Sequence, residues 1–335
     1  MPEASPPFPV DRTERGLVHR ASALFVAAGL LLVTLTACST DPNANCDTAL
    51  TSGSASDVIH VSGKFGEQPT VKFPTPVRTS TSQRTTVITG SGPEVHTGQE
   101  VVVDFSIYNG TNGQLIQTTK YDPTSASALV VGKTIPGLDK GLQCATVGSR
   151  LAIAVSPKDG LGASASSVGV SPTDTVVIVV DVNKAYLPAA NGAPQPGRPG
   201  FPTVVIAPGG RPGVTVPTTN PPTSLEVAVN KQGDGKTVTK SDTVVIHYTG
   251  VLWKERTVFD STWDSGTPAT LQLSTGQTAA GTSLPKGLVE GLIGQKVGSQ
   301  VTIIVPPSKA FGSQGSGPVP QNATLVYVVD ILGIV

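Results

Sequence analysis

The stretch Gly287-Leu288-Val289-Glu290-Gly291-Leu292, followed by Val297-Gly298-Ser299 and by VTIIVPPSKAFG (301–312), is written twice in this chain. It occurs, always 150 positions earlier, as Gly137-Leu138-Asp139-Lys140-Gly141-Leu142, Val147-Gly148-Ser149 and LAIAVSPKDGLG (151–162). Each copy closes on a Thr-led apolar strand ending in Asp, TLVYVVD (324–330) and TVVIVVD (175–181). Upstream, Gly233-Asp234-Gly235 … TVVIHYTG matches Gly90-Ser91-Gly92 … EVVVDFSI at an offset of about 143. Two copies this long are two domains, because a solenoid needs more and shorter repeats. Within each copy the order is the same. One or two strands lead to a strand of alternating pattern (Val101 to Phe105; Val244 to Tyr248), an excursion, a Gly-bounded helix, a strand, a Gly/Ser loop and a final strand. A helix of about two turns is stable only against something else, and Leu288 and Leu292, four apart, offer an apolar side to the sheet. The fold class is α+β with an antiparallel sheet in each domain, not a parallel βαβ array.

Composition agrees with short strands and turns. The 335 residues carry 23 basic and 23 acidic side chains, and include 37 Gly, 29 Pro and one Met. Such length allows about two domains, and scarce Leu, Glu, Lys and Met argue against a helical protein. Zero net charge without a basic run speaks against nucleic-acid binding, which needs clustered Lys and Arg. Four His and three Cys form no metal-ligand spacing, and no cofactor motif is present.

Arg12, Arg15 and Arg20 precede the apolar run 21–37, ASALFVAAGLLLVTLTA, and Cys38 follows at once. A basic start, an apolar middle and small residues at a cut site make a secretory signal. The alternative is a transmembrane helix, but the run is at the low limit for spanning and no basic cluster follows it. Leu35-Thr36-Ala37-Cys38 resembles the lipobox of bacterial lipoproteins, which implies a diacylglyceryl anchor on Cys38. Cys46 and Cys144 then remain, and outside the cytoplasm a disulfide between them is expected, with two free thiols as the alternative. The expected organisation is a signal over 1–37, a tether over 38–56, a first domain over 57–186, a connector over 187–224 and a second domain over 225–335. The connector holds ten Pro and six Gly. It reads as semi-rigid, with its middle, TVVIAPGGRPGVTV, apolar enough to pack on the second domain.

Six blocks of the second copy stand in a family order: Gly233-Asp234-Gly235; His247-Tyr248-Thr249-Gly250; Phe259-Asp260-Ser261; the 287–298 helix segment; Pro306-Pro307-Ser308-Lys309-Ala310-Phe311-Gly312; and Asn322-Ala323-Thr324-Leu325-Val326-Tyr327. Over about residues 225–335 the chain strongly resembles the FKBP-type peptidyl-prolyl isomerases. The resemblance implies two FKBP-like domains, each a curved antiparallel sheet wrapped around one short helix. Rotation about an X–Pro bond crosses a barrier of about 18–20 kcal/mol, and needs no nucleophile, metal or cofactor. Its transition state is a twisted amide whose carbonyl has lost negative charge, so an apolar cup with a few polar groups suits it better than it suits the planar ground state.

By that resemblance Tyr248, Asp260 and Phe311 are the catalytic set, with Asp260 the polar member near the twisted carbonyl. Phe259, Leu271, Leu284, Leu288, Val319 and Tyr327 line the substrate cup. His247 points to the opposite face and is structural. Several positions depart from the best-known members. Leu288 stands where the pocket floor is often Trp, Phe311 where Tyr is usual, and Ala269 where some members carry another aromatic. Pro285 lies near the position whose backbone N–H usually holds the ligand, and has none to give. Modest activity and weak macrolide binding are expected. In the first copy Phe105 replaces Tyr248, Ile116-Gln117 stands for Phe259-Asp260 and Leu161 replaces Phe311; the acid and most rings are gone, so this domain is expected to be inactive. The reading is a prolyl isomerase, lipid-anchored on the outer face of a bacterial cytoplasmic membrane, acting on proline-containing segments of unfolded or exported proteins. The rival is a non-catalytic chaperone or scaffold of the same fold that grips Pro-containing peptides, favoured by Ala269, Pro285 and Phe311.

Overall fold

β-branched residues fill the long strands, as a pleated and well-covered surface favours, and they assemble into two sheets of one topology. The computed structural model describes residues 49–122 and 125–335. The apolar run 21–37, Cys38 and Cys46 lie outside the described residues. In the first half β1 (Gln83–Ile88), β2 (Glu100–Asn109), β3 (Leu115–Thr118), β4 (Ser127–Val130), β5 (Arg150–Val155) and β6 (Val176–Ala185) form an antiparallel sheet in the order β1-β5-β6-β2, with β3 and β4 both paired to β2. In the second half β7 (Glu226–Gln232), β8 (Thr243–Leu252), β9 (Val258–Ser261), β10 (Ala269–Gln272), β11 (Gln300–Val305) and β12 (Leu325–Ile334) repeat this as β7-β11-β12-β8, with β9 and β10 paired to β8. Two-residue strands at 193–194 and 277–278 extend the second sheet.

One short helix lies on the inner face of each sheet: α1 (Pro136–Leu142) in the first and α2 (Lys286–Leu292) in the second. The alternation read from sequence places Val244, Ile246, Tyr248 and Leu252 of β8 inward. With Val301, Ile303 and Val305 of β11 and Leu325, Tyr327 and Val329 of β12, they form one buried cluster that includes Leu288 and Leu292. The closest approach, however, is made by glycines. A Cβ on Gly287 would stand 2.6 Å from Val305 Cγ1, and one on Gly291 2.8 Å from Ile303 Cδ1. Gly137 and Gly141 approach Val155 and Ile153 in the same way. A two-turn helix gains its stability from tertiary packing, and these glycines let the backbone settle onto the strands.

Both sheets are covered on their outer faces too, which explains why β5 and β11 are buried at every position. Ala152, Ala154 and Val177 of the first sheet lie under Ala55, Ile59, Val77 and Phe73. Val251, Ile304 and Val326 of the second lie under Phe201, Val216 and Trp253. The residues expected as a connector therefore act largely as a cover. Within them Thr203–Ile206 and Pro212–Thr215 pair as a hairpin, and Trp253 Nε1 donates to the Thr219 carbonyl at 3.0 Å. Between the two sheets Tyr186 is buried against Val245 and Leu332, and burial pushes its phenol up to about 12. The Leu187 amide donates to the Leu332 carbonyl at 3.2 Å, and the Tyr186 amide donates to the Glu100 carbonyl at 2.9 Å. Cys144 is disulfide-bonded; its expected partner Cys46 is among the residues not described.

Candidate active site

Along β8 every second side chain faces the helix, and one of those inward positions carries no side chain at all. After Ile246 and Tyr248 comes Gly250, and the ring of Phe259 from β9 occupies the space. A Cβ on Gly250 would stand 2.6 Å from Phe259 Cζ. Gly250 pairs in register with Asp260 on one side and Tyr327 on the other. Three rings consequently meet at one end of the sheet. Tyr248 and Tyr327 have centroids 5.9 Å apart at 64°, and Phe259 and Tyr327 5.7 Å apart at 86°. Both are the edge-to-face geometry that ring quadrupoles favour.

At the rim of this cluster Tyr248 Oη donates to Asp260 Oδ2 at 2.6 Å. Burial, and then this bond, raises the Tyr248 phenol above its ordinary value, so the hydroxyl stays a donor at neutral pH. Burial raises Tyr327 in the same sense. Asp260 is exposed; its carboxylate joins solvent to the edge of an apolar surface.

The remaining candidates fall into two groups. Leu271, Leu288 and Tyr327 are at most 1% exposed and Val319 is 5% exposed, so they form a closed floor and wall. Phe259, Leu284 and Phe311 are half-buried against the same cluster and are the members with surface to offer. Leu271, expected as a wall residue, presents none of its own and supports the cup from within. Ala269 is half-buried and pairs with Ile246. Pro285 precedes α2 as its N-cap, and the Leu284 amide donates to the Gly276 carbonyl at 2.9 Å. Neither residue leaves a backbone donor for a ligand.

His247 does face the other way. It is 3% exposed, stacks on Trp263 with centroids 4.1 Å apart, and burial lowers its pKa to about 4. Its Nδ1 lies 2.8 Å from Thr262 Oγ1, which also accepts the Tyr248 amide at 2.9 Å. Thr262 thus ties the loop after Asp260 to the strand that carries Tyr248. Sequence reasoning passed over Thr262 and Gly250. The signal for Thr262 was the repeat itself, since Thr119 stands 143 positions earlier, at the offset that relates Phe105 to Tyr248, and in the structure it accepts the Phe105 amide at 3.1 Å.

The first domain closes the same place with aliphatic groups. Ile107 stands where Gly250 does, pairing with Gln117 and Ile178. Phe105, Ile116 and Leu161 pack on a cluster containing Leu138 and Ile178, into which Ala165 and Val170 are also buried. Ala165 belongs to a 3₁₀ segment, Gly162–Val168, inserted after Leu161.

A sequence model of the family described as FKBP-type peptidyl-prolyl cis-trans isomerase matches residues 92–183 and 235–332, more than half of the chain. The chain belongs to this family. As a member it is a peptidyl-prolyl cis-trans isomerase, an enzyme whose substrates are proline-containing polypeptides. Among similar FKBP proteins, the "FK506-binding protein" of Streptomyces anulatus is 32% identical over 126 residues, 37% of this chain and 97% of that one. "FK506-binding protein 2" of Emericella nidulans is 38% identical over 96 residues, 29% of this chain and 67% of that one. The "FKBP-type peptidyl-prolyl cis-trans isomerase FkpA" of Aeromonas hydrophila is 37% identical over 110 residues, 33% of this chain and 38% of that one.

Proposed function

We propose that the isomerase activity resides in the second domain, at the cup rimmed by Tyr248 and Asp260, and that the first domain does not catalyse. The observation that carries this reading is the 2.6 Å bond from Tyr248 Oη to Asp260 Oδ2 beside three edge-on rings. The prolyl ring enters where Phe259, Leu284 and Phe311 are half-buried and rests toward Leu288 and Tyr327, with Val319 as a side wall. Apolar surroundings disfavour the charge-separated planar amide, so the twisted amide binds better and the barrier falls. Asp260 faces the carbonyl as it loses negative charge, which makes its own charge less repulsive there than in the planar state. Phe311 supplies the ring edge without a hydroxyl, and Leu284 and Pro285 supply no amide, so affinity for planar substrates and for macrolides is weak.

The same proposal places the protein at the cell envelope. Arg20, the 21–37 run and Leu35-Thr36-Ala37-Cys38 support export and diacylglyceryl anchoring at Cys38 on the outer face of a bacterial cytoplasmic membrane. A Cys46–Cys144 disulfide suits that compartment, and exported unfolded chains would be the substrates. Palmitate labelling lost in Cys38→Ser is the expected result, and labelling that survives the change removes the anchor. For the site, full-length protein is compared with Tyr248→Ala, Asp260→Ala and Phe105→Ala in a protease-free prolyl-isomerisation assay. The first two are expected to lose about tenfold or more of kcat/KM, the range for a hydrogen bond to a charged group, and the third is expected to lose none. A wild-type rate no faster than the spontaneous one removes the assignment and favours the peptide-gripping scaffold.

A further inference from the structure

The rim of the second-domain cup is not built by the second domain alone. A groove of about 540 Å³ carries Tyr248, Asp260, Ala269 and Thr270 on one wall, and Glu100, Leu129, Val130 and Lys133 of the first domain on the other. Glu100 is 7% exposed and lines the groove together with Thr270 of the opposite wall. Lys133 is exposed and makes no ion pair among the described residues. It reaches across the groove, with Nζ 3.9 Å from where a Cβ on Gly266 would stand. β4, which supplies Ala128 to Val130, pairs among the described residues with β2 alone, on one edge. Its counterpart β10 is flanked on both sides, by β8 and the 277–278 strand.

We infer that this groove is an extended substrate subsite, in which the polypeptide flanking the isomerised proline lies along β4 and an acidic residue of it meets Lys133. The inference rests on the second-domain cup being the prolyl site. Three features select an extended polypeptide as the occupant. The groove is continuous with Tyr248 and Asp260, its first-domain wall is a strand with one edge unpaired among the described residues, of the kind that accepts an added chain, and its one cation, in no ion pair among the described residues, reaches across it toward Gly266. The first domain, without its own ring-lined cup, then selects substrates for the second. This accounts for a catalytically silent copy held against the mouth of an active one.

The test uses full-length protein and fluorescent peptides with one central proline, carrying Glu or Lys at each of the three positions on either side. Isomerisation rates and Kd from anisotropy are measured for wild type and Lys133→Glu. In the wild type, Glu at one or two of those positions is expected to improve kcat/KM or Kd about threefold over Lys, the scale of an exposed ion pair, and to lose that advantage at 1 M salt. Lys133→Glu is expected to reverse the preference at the same positions. Turnover with a Glu/Lys ratio that Lys133→Glu leaves unchanged overturns the subsite and leaves the cup standing. A ratio reversed in Kd, without turnover by either protein, keeps the subsite and removes the catalytic assignment.

Discussion

The two domains solve the same structural problems with different residues, and only one of them retains the rings and the acid. Helix and following turn are tied in both by an ion pair of opposite polarity. Lys140 of α1 meets Asp159 at 2.8 Å, whereas Glu290 of α2 meets Lys309. The tie recurs in both domains while its polarity is reversed, so the contact is shared and the placement of charge is not. Each last strand also carries a buried acid that reaches into its domain's covering segment. Asp181 is fully buried with Arg150 at 2.6 and 2.7 Å and accepts the Gly66 amide at 2.8 Å. Asp330 accepts Gln300 Nε2 at 2.7 Å and the Ala190 amide at 2.8 Å. The two domains therefore share contacts more than residues, and among the described residues of the first domain none stands in for the Tyr248–Asp260 pair.

The largest expected difference between the domains lies at those buried acids. Arg150→Leu leaves Asp181 charged and buried with one amide donor, and breaking a buried pair in this way costs about 3–5 kcal/mol. Gln300→Leu removes a neutral donor at the matching place and is expected to cost about 1–2 kcal/mol. Asp330 keeps the Ala190 amide, and burial already raises its pKa, so it can take a proton in place of the lost bond. Midpoints of denaturant unfolding for the two variants decide it, and equal losses would break the contrast.

Next in size is a pH dependence that belongs to the second domain. His247 is buried neutral, its pKa held down at about 4 against about 6.5 when unfolded. Its contribution is fully present above about pH 6.5 and is lost as the pH falls toward 4, because the unfolded chain takes up the proton first. The full span corresponds to about 3 kcal/mol. Asp330 acts in the opposite sense, since protonation of a buried carboxyl favours the folded state. The comparison must therefore be made by difference, with His247→Gln expected to flatten the stability profile between pH 6.5 and 4. The first domain has Asp104 at this position, accepting from Thr119 at 2.6 Å and Asn183 at 2.7 Å, and so buries no imidazole there.

Much of this was legible in the sequence, for identifiable reasons. Repetition at a fixed offset pointed to two domains, alternation in 244–248 to the inward and outward faces, and the family resemblance put Tyr248 and Asp260 in one candidate set without the bond between them. What could not be read was set by contacts distant in the chain. Nothing local distinguishes Gly250 as the gap that admits Phe259, or says that Leu271 is sealed behind the cup. The Pro- and Gly-rich stretch reads as a connector with an apolar middle fit to pack, and Val216 of that middle does find apolar partners on the outer face of the sheet, as does Phe201, which lies before it and which composition did not mark. Glu100 and Lys133 carry no motif at all, and only the packing of one domain against the other brings them to the groove.

Gly250 gives a smaller effect that sharpens the contrast within one strand. Gly250→Ala forces the Phe259 ring outward, and overpacking of this kind costs about 1–3 kcal/mol. Because the ring sits beside Tyr327, isomerase activity is expected to fall several-fold more than the stability loss alone explains. The folded fraction from circular dichroism, set beside kcat/KM, separates the two effects. A fall in activity that only tracks the folded fraction would show that Phe259 is core and not part of the cup.

The smallest expected effect is a gain that does not occur. Phe105→Tyr with Gln117→Asp restores, in the first domain, the hydroxyl and the carboxylate that its register would bring together. In a Tyr248→Ala background, where the rate proposed to come from the second domain is lowered, this pair is nevertheless expected to raise the isomerisation rate less than twofold. Ile107 occupies the inward position at which Gly250 admits the Phe259 ring, and Ala165 and Val170 are packed into the cluster around Leu138 and Ile178. A prolyl ring would have to displace them, at a cost comparable to removing buried aliphatic groups. Recovery of a tenfold rate by the two substitutions alone would mean that the first cup opens readily and that only its polar atoms were lost. If the rate stays flat until Ile107→Gly is added, then the silent copy lost its space as well as its chemistry.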